Sequence, residues 1–117
     1  MKRQICVLGI YVDSLEEAKK HYCDILGFGI AQEYDECIIR LENEGVTLLL
    51  EKIEGNYPPH PCVIPAIETD DILSEIKLLK SKGVEFMFNE PQEFPAGVYT
   101  AFKDPAGNIM ELLEFRK

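Results

Sequence analysis

The same succession of elements is written twice along this chain, and that repetition restricts what it can fold into. Residues 5–12, ICVLGIYV, put Cys6, Leu8, Ile10 and Val12 on one face and Ile5, Val7, Gly9 and Tyr11 on the other. Both faces are largely apolar, the pattern of a strand covered on two sides. Ser14-Leu15-Glu16-Glu17 follows as a capping box, with Leu15, Ala18, Tyr22, Ile25 and Leu26 at helical spacing and Gly27 as the C-terminal stop. Three strands are expected next, over Phe28–Tyr34, Glu36–Leu41 and Val46–Ile53, the last two joined by the turn ending at Gly45. After a proline-bearing stretch the order recurs. Cys62–Glu68 reads as a strand, and Asp70/Asp71 cap a helix with Ile72, Leu73, Ile76 and Leu79 as its stripe. Lys82-Gly83 closes that helix. Val84–Phe88, Val98–Lys103 and Asn108–Phe115 read as strands, with Asp104–Gly107 as a tight turn.

The reading is therefore βαβββ, linker, βαβββ: one domain over 1–117, with a first module of about 1–54, a linker over 55–61 and a second module of about 62–117. Superposing Gly45 on Gly107 sets Leu49 opposite Glu111, and superposing the helix ends sets Val7 near Ile64. Each module is too small for a core of its own, so the two are expected to share one or to pair across a dimer.

Charge narrows the partners. Twelve Lys+Arg against 21 Asp+Glu give a net charge of −9, and the cations, from Lys2 and Arg3 to Arg116 and Lys117, are scattered. Binding to nucleic acid draws on clustered Lys/Arg, so it is not expected. The acidic excess reads first as solubility and second as attraction for a cationic ligand. Apolar runs such as Val46–Leu50 fall far short of a membrane span, and the N-terminal stretch reads as a strand. Cys6, Cys23, Cys37 and Cys62 form no C-x-x-C pair and match no zinc spacing, which fits reduced thiols in a cytoplasmic protein.

The strings V12-D-S-L-E-E-A-K-K-H-Y-C-D-I-L-G-F28, K82-G-V-E-F86 and F102-K-D-P-A-G-N-I-M-E-L-L-E114 together resemble the vicinal oxygen chelate superfamily. That group includes glyoxalase I, extradiol dioxygenases, and fosfomycin and bleomycin resistance proteins. The resemblance covers essentially the whole chain. It implies an α+β fold in which two βαβββ modules form a curved mixed sheet around a cup-shaped cavity, often in a homodimer.

It also implies where metal ligands belong in the metal-dependent members: on the first strand of each module and on the last. Those positions fall on Val7, Ile64, Leu49 and Glu111. Three are apolar and offer no lone pair, and a catalytic divalent ion wants about three protein ligands. Shifting the register by one restores only the soft Cys6. His21, on the first helix, and His60, in the linker, are expected to face solvent. No metal site and no cofactor are therefore expected.

Strand parity then groups Val7, Arg40, Leu49, Ile64, Thr100, Phe102 and Glu111 on the cup face, with Leu8, Ile10, Ile39 and Leu112 opposite, packing the helices. Apolar walls with a few polar groups suit a small molecule. The leading expectation is a metal-free binding protein of the bleomycin-resistance type, an antibiotic-resistance class, holding a small cationic or aromatic compound. The alternative is a glyoxalase-like lyase or isomerase with Glu111 as catalytic base, or with an unconventional divalent metal site of Glu51, Glu111 and His60.

Overall fold

The computed structural model describes residues 3–116, so Lys2 and Lys117 lie outside the described residues. The chain is α+β and runs through two βαβββ modules. The elements are β1 (Ile5–Val12), α1 (Leu15–Lys19) continuing into a π-helical turn over Lys20–Ile25, β2 (Ile30–Glu33), β3 (Ile38–Leu41) and β4 (Thr47–Lys52). They continue with β5 (Cys62–Glu68), α2 (Ile72–Ser81), β6 (Gln92–Phe94), β7 (Gly97–Lys103) and β8 (Ile109–Phe115). Two compact units result, one of residues 7–64 and one of residues 3–6 with 65–116. Among the described residues, no helix is long and apolar enough to cross a membrane.

In the unit of residues 7–64 the strand order is β2-β3-β4-β1. β1 runs parallel to β4, and the other neighbours are antiparallel. Ser14 caps α1 by accepting from the Glu17 N–H at 3.2 Å, as the S-x-x-E pattern requires. Behind the sheet, Ala18, Ile39, Leu41 and Leu50 form a buried cluster, with Ile10, Val12, Leu15, Tyr22, Cys23, Phe28 and Leu48 packed against it.

The first helix departs from expectation at its end. Ile25 and Leu26 are 70 % and 54 % exposed instead of completing the apolar stripe. The cause is the π turn, in which the Leu26 N–H reaches back to His21 O. A turn one residue wider shifts the phase of the helix, so Cys23 meets the core in their place. Gly27 then takes a φ of 86° and ends the helix through an N–H bond to Cys23 O. The proline-bearing stretch belongs to this unit. It is closed by a bridge between Glu54 and Tyr57, and its Pro58 is buried.

In the other unit the order is β5-β8-β7-β6, with β5 parallel to β8 and the remaining pairs antiparallel. Asp71 caps α2, accepting from Ser74 N at 3.1 Å and Ser74 Oγ at 2.8 Å. These two bonds hold the Asp71 carboxyl below its usual pKa. A second group serves the same helix end: Glu114 Oε1, on β8, accepts from the Ile72 N–H at 2.7 Å. A carboxylate at a helix N-terminus satisfies an otherwise orphaned donor and complements the helix dipole.

The strand expected over Val84–Phe88 is not formed. Only Phe86 bridges to Phe102 on β7, and the Met87 N–H bonds to Ala101 O. Pairing then lapses over residues 88–91 and resumes as β6, with Gln92 opposite Tyr99. Pro91 has no N–H to give a ladder, so the edge strand is broken where an apolar run invited a continuous one.

Candidate functional site

Register decides which side chains share a face. In the unit of residues 7–64, Val7 lies beside Thr47, Gly9 beside Leu49 and Tyr11 beside Glu51, while Arg40 and Ile38 lie beside Leu49 and Glu51 from the other side. Cross-strand partners point the same way, so Val7, Arg40 and Leu49 share the face turned away from α1. That face narrows at Gly9. A Cβ there would lie 2.8 Å from Glu51 Oε2 and 2.9 Å from the Tyr11 ring, so the missing side chain makes room for a carboxylate against an aromatic ring. Tyr11 is also in edge contact with Tyr57, their ring centroids 6.2 Å apart.

In the other unit, Glu111 lies between Ala66 on β5 and Ala101 on β7, and Leu113 lies beside Tyr99. Glu111 is 8 % exposed. Its two cross-strand neighbours are alanines, Glu68 shares the face beside Leu113, and the face continues into aromatic rings. Tyr99 meets Phe88 at 5.9 Å and Phe94 at 6.1 Å, and Phe94 meets Phe115 at 6.4 Å. A cavity of about 580 Å³, lined by Met87, Phe88, Asn89, Glu90 and Gln92, opens where the edge strand is broken.

Thr100 and Phe102 require a correction. They lie beside Leu112 and Met110, on the opposite face from Glu111. Thr100 is 1 % exposed, and Phe102 packs edge-on against Phe86, the centroids 5.6 Å apart. The connection between β7 and β8 sets the register that separates them from Glu111. The Asp104 carboxylate accepts from the N–H groups of Ala106 at 2.9 Å and Asn108 at 2.8 Å, and from Asn108 Nδ2 at 2.9 Å. These bonds, led by the Asn108 amide, pull the Asp104 carboxyl below its usual pKa. Lys103 is thereby fixed opposite Ile109, and Ala101 opposite Glu111. The D-P-A-G-N string holds that information, but only once its turn geometry is known. Gly97, Tyr99, Ala101 and Lys103 are the residues of β7 on the Glu111 face, and strand parity read from the sequence does not find them.

Ile64 is 1 % exposed on β5, and Val7 is 8 % exposed on β1. With Leu49 also apolar, the donor set at the four positions where the family holds metal amounts to the Glu111 carboxylate, and it does not fit a divalent ion. Among the described residues, no three His, Cys, Asp or Glu side chains come together in a way that could hold a metal ion. His60 is exposed, its Nδ1 3.2 Å from Pro61 O, and His21 is exposed beside the Tyr22 ring.

Two thiols are held in their neutral form. The Cys6 thiol donates to Ala66 O at 3.6 Å. Burial pushes its pKa up to about 11, with the charges of Glu68 and Glu111 adding to the effect. Cys37 donates to Glu54 Oε1 at 2.6 Å, and that carboxylate is the main cause of its rise to about 11. A thiolate is the reactive form, so neither group is poised for nucleophilic attack. Glu54→Gln removes the charge that opposes Cys37 ionisation. Alkylation of Cys37 by iodoacetamide at mildly alkaline pH should then accelerate roughly tenfold, as its pKa falls toward the ordinary thiol range. Peptide-resolved mass spectrometry reads the rate, and an unchanged rate would show that Glu54 does not control the thiol.

The repeated βαβββ module is that of the vicinal oxygen chelate fold, and the chain belongs to that superfamily. The sequence model of the Glyoxalase/Bleomycin resistance protein/Dioxygenase superfamily matches residues 4–112. The uncharacterized protein YetH of Bacillus subtilis (strain 168) is 26 % identical, over 97 % of this chain and all of its own length. Among solved structures, the hypothetical protein BH1468 from Bacillus halodurans C-125 superposes with a TM-score of 0.76 at 17 % identity, covering 100 % of this chain and 97 % of that one. Methylmalonyl-CoA epimerase from Mycobacterium tuberculosis superposes with a TM-score of 0.70 at 20 % identity, covering 97 % and 88 %. At these identities the structural likenesses establish the fold alone.

Proposed function

We propose that the chain is a metal-free small-molecule binding protein that holds a cationic, aromatic compound against the Glu111 face. The observation that carries this reading is the burial of one carboxylate, 8 % exposed, between Ala66 and Ala101 on a face that continues into Tyr99, Phe94 and Phe88. A carboxylate shielded from water attracts a cation more strongly than a solvated one, and aromatic rings add contact area and cation–π attraction. The residue types at the family's metal positions favour binding over metal-assisted chemistry, and the net charge of −9 favours capture of a cation.

Calorimetric titration with benzylammonium and with neutral benzyl alcohol, each at low and high salt, tests it. Benzylammonium should bind more tightly, weaken at high salt and weaken roughly tenfold in Glu111→Gln. Equal binding of the two probes, salt-independent binding of the cation, or no binding would sink the reading. A second reading rests on the same buried carboxylate: Glu111 as the general base of a lyase or isomerase acting on an acidic carbon, a class to which the methylmalonyl-CoA epimerase neighbour is allied by its name. Turnover of any such substrate that persists in Glu111→Gln would remove that role.

A further inference from the structure

The break in the edge strand beside β7 is an excess of chain, and the excess makes a cavity. Phe86 bridges to Phe102, the Met87 N–H bonds to Ala101 O at 2.8 Å, and Gln92 lies opposite Tyr99. The four residues 88–91 therefore face a single residue of β7, Thr100, and must arch out of the ladder, as in an enlarged β-bulge. Both ends of the arch are held by β7. Phe88 is anchored within it by its ring contact with Tyr99, the centroids 5.9 Å apart. The cavity of about 580 Å³ lined by the arch falls in the size range of small-molecule sites, about 300–1,000 Å³.

Its lining is rich in acceptors and open to solvent. Asn89 and Glu90 are exposed, and Met87, Phe88 and Gln92 are half-buried. Gln92 Nε2 already donates to Glu90 O at 2.9 Å, which leaves Oε1 of that amide to accept from a ligand. The ion pairs among the described residues are Arg3–Glu75, Lys19–Glu33 and Arg116–Glu93, and none engages Glu90. Among the described residues the lining includes no Lys or Arg. A carboxylate, two amide oxygens and an aromatic ring together favour positive charge carried on N–H donors.

We infer that this cavity binds an organic guanidinium, its planar fork donating to the Glu90 carboxylate and its face lying against the Phe88 ring. A guanidinium offers paired donors to a carboxylate and a flat face to an aromatic ring, whereas an ammonium is a strongly hydrated point charge. Gln92 Oε1 and Asn89 Oδ1 are acceptors for the N–H groups that the carboxylate does not take. Met87 supplies a polarizable apolar wall for the attached carbon chain. The site rests on the register of β6 with β7 and does not depend on how the Glu111 face is used.

The test is a titration of ¹⁵N-labelled protein with propylguanidinium, propylammonium and the uncharged isostere N-propylurea at matched ionic strength, followed at the Gln92 side-chain amide and the Asn89 and Glu90 backbone amides. Propylguanidinium should give saturating shifts at these groups. Propylammonium should bind at least about threefold more weakly, and N-propylurea should not saturate. Glu90→Gln should weaken propylguanidinium binding about fivefold and Phe88→Leu a few-fold. Glu93→Gln, a neighbouring exposed acid outside the lining, should change it less than about twofold. A linear response to propylguanidinium, equal binding of the ammonium or the urea, full retention in Glu90→Gln or Phe88→Leu, or equal weakening in Glu93→Gln would overturn the inference. Should Phe88→Leu fail to fold, the probe comparison and the two glutamate variants decide.

Discussion

Replacing Leu50 with alanine should lower the unfolding free energy by about 2–5 kcal/mol, the range for truncating a fully buried leucine whose surroundings relax only in part. Leu50 is 0 % exposed and lies in the cluster with Ala18, Ile39 and Leu41, where α1 covers β3 and β4. Urea unfolding reads the effect as a lower midpoint with an unchanged slope. Leu73→Ala is the matched control: that side chain is 67 % exposed on α2, and its loss should change stability by less than about 0.5 kcal/mol. Equal effects of the two substitutions would mean that the cluster behind β3 and β4 does not hold the unit together.

The second large effect is expected at Gly97. This residue is buried at the start of β7, opposite Phe115 on β8 and Phe94 on β6. A Cβ there would collide with the carbonyl oxygen of Glu114 and come within 3.0 Å of the Phe115 Cα. Both obstacles are backbone in the neighbouring strand, so no side-chain rotation relieves them. Gly97→Ala should therefore cost about 3 kcal/mol or more, the upper end for overpacking, because the strands must part to admit one methyl group. The Arg116 N–H bonds to Ala96 O at 2.8 Å beside the collision, and its hydrogen-exchange protection should fall with the separation of the strands. Undiminished protection and stability in Gly97→Ala would show that the β7–β8 edge yields more readily than its geometry implies.

The two predictions draw on different kinds of information. Leu50 sits in an apolar run that any reading places in a strand, and its alternation with Leu49 already separates a helix-facing residue from an opposite one. Gly97 carries no sequence signal that distinguishes it from a turn glycine, and only its approach to Glu114 reveals the constraint. The same division runs through the site. Val7, Arg40 and Leu49 were legible as one face because β1, β3 and β4 carry clear period-2 patterns. Thr100 and Phe102 were misplaced because a hairpin's register is set by its connection, and one residue of slip moves every side chain to the other face. At the end of the first helix, periodicity assumed 3.6 residues per turn, and a π turn broke it.

The sequence by itself determined the module order, the helix caps at Ser14 and Asp71, the superfamily and the poverty of metal donors at Val7, Leu49 and Ile64. These follow from local chemistry: short-range hydrogen bonding, alternation, and residue types that do or do not carry a lone pair. Only the tertiary structure decided that Glu111 is buried between Ala66 and Ala101 and that Tyr99 in place of Thr100 shares its face. Each of those depends on which strands lie side by side and in what register, a property of contacts between residues far apart in the chain.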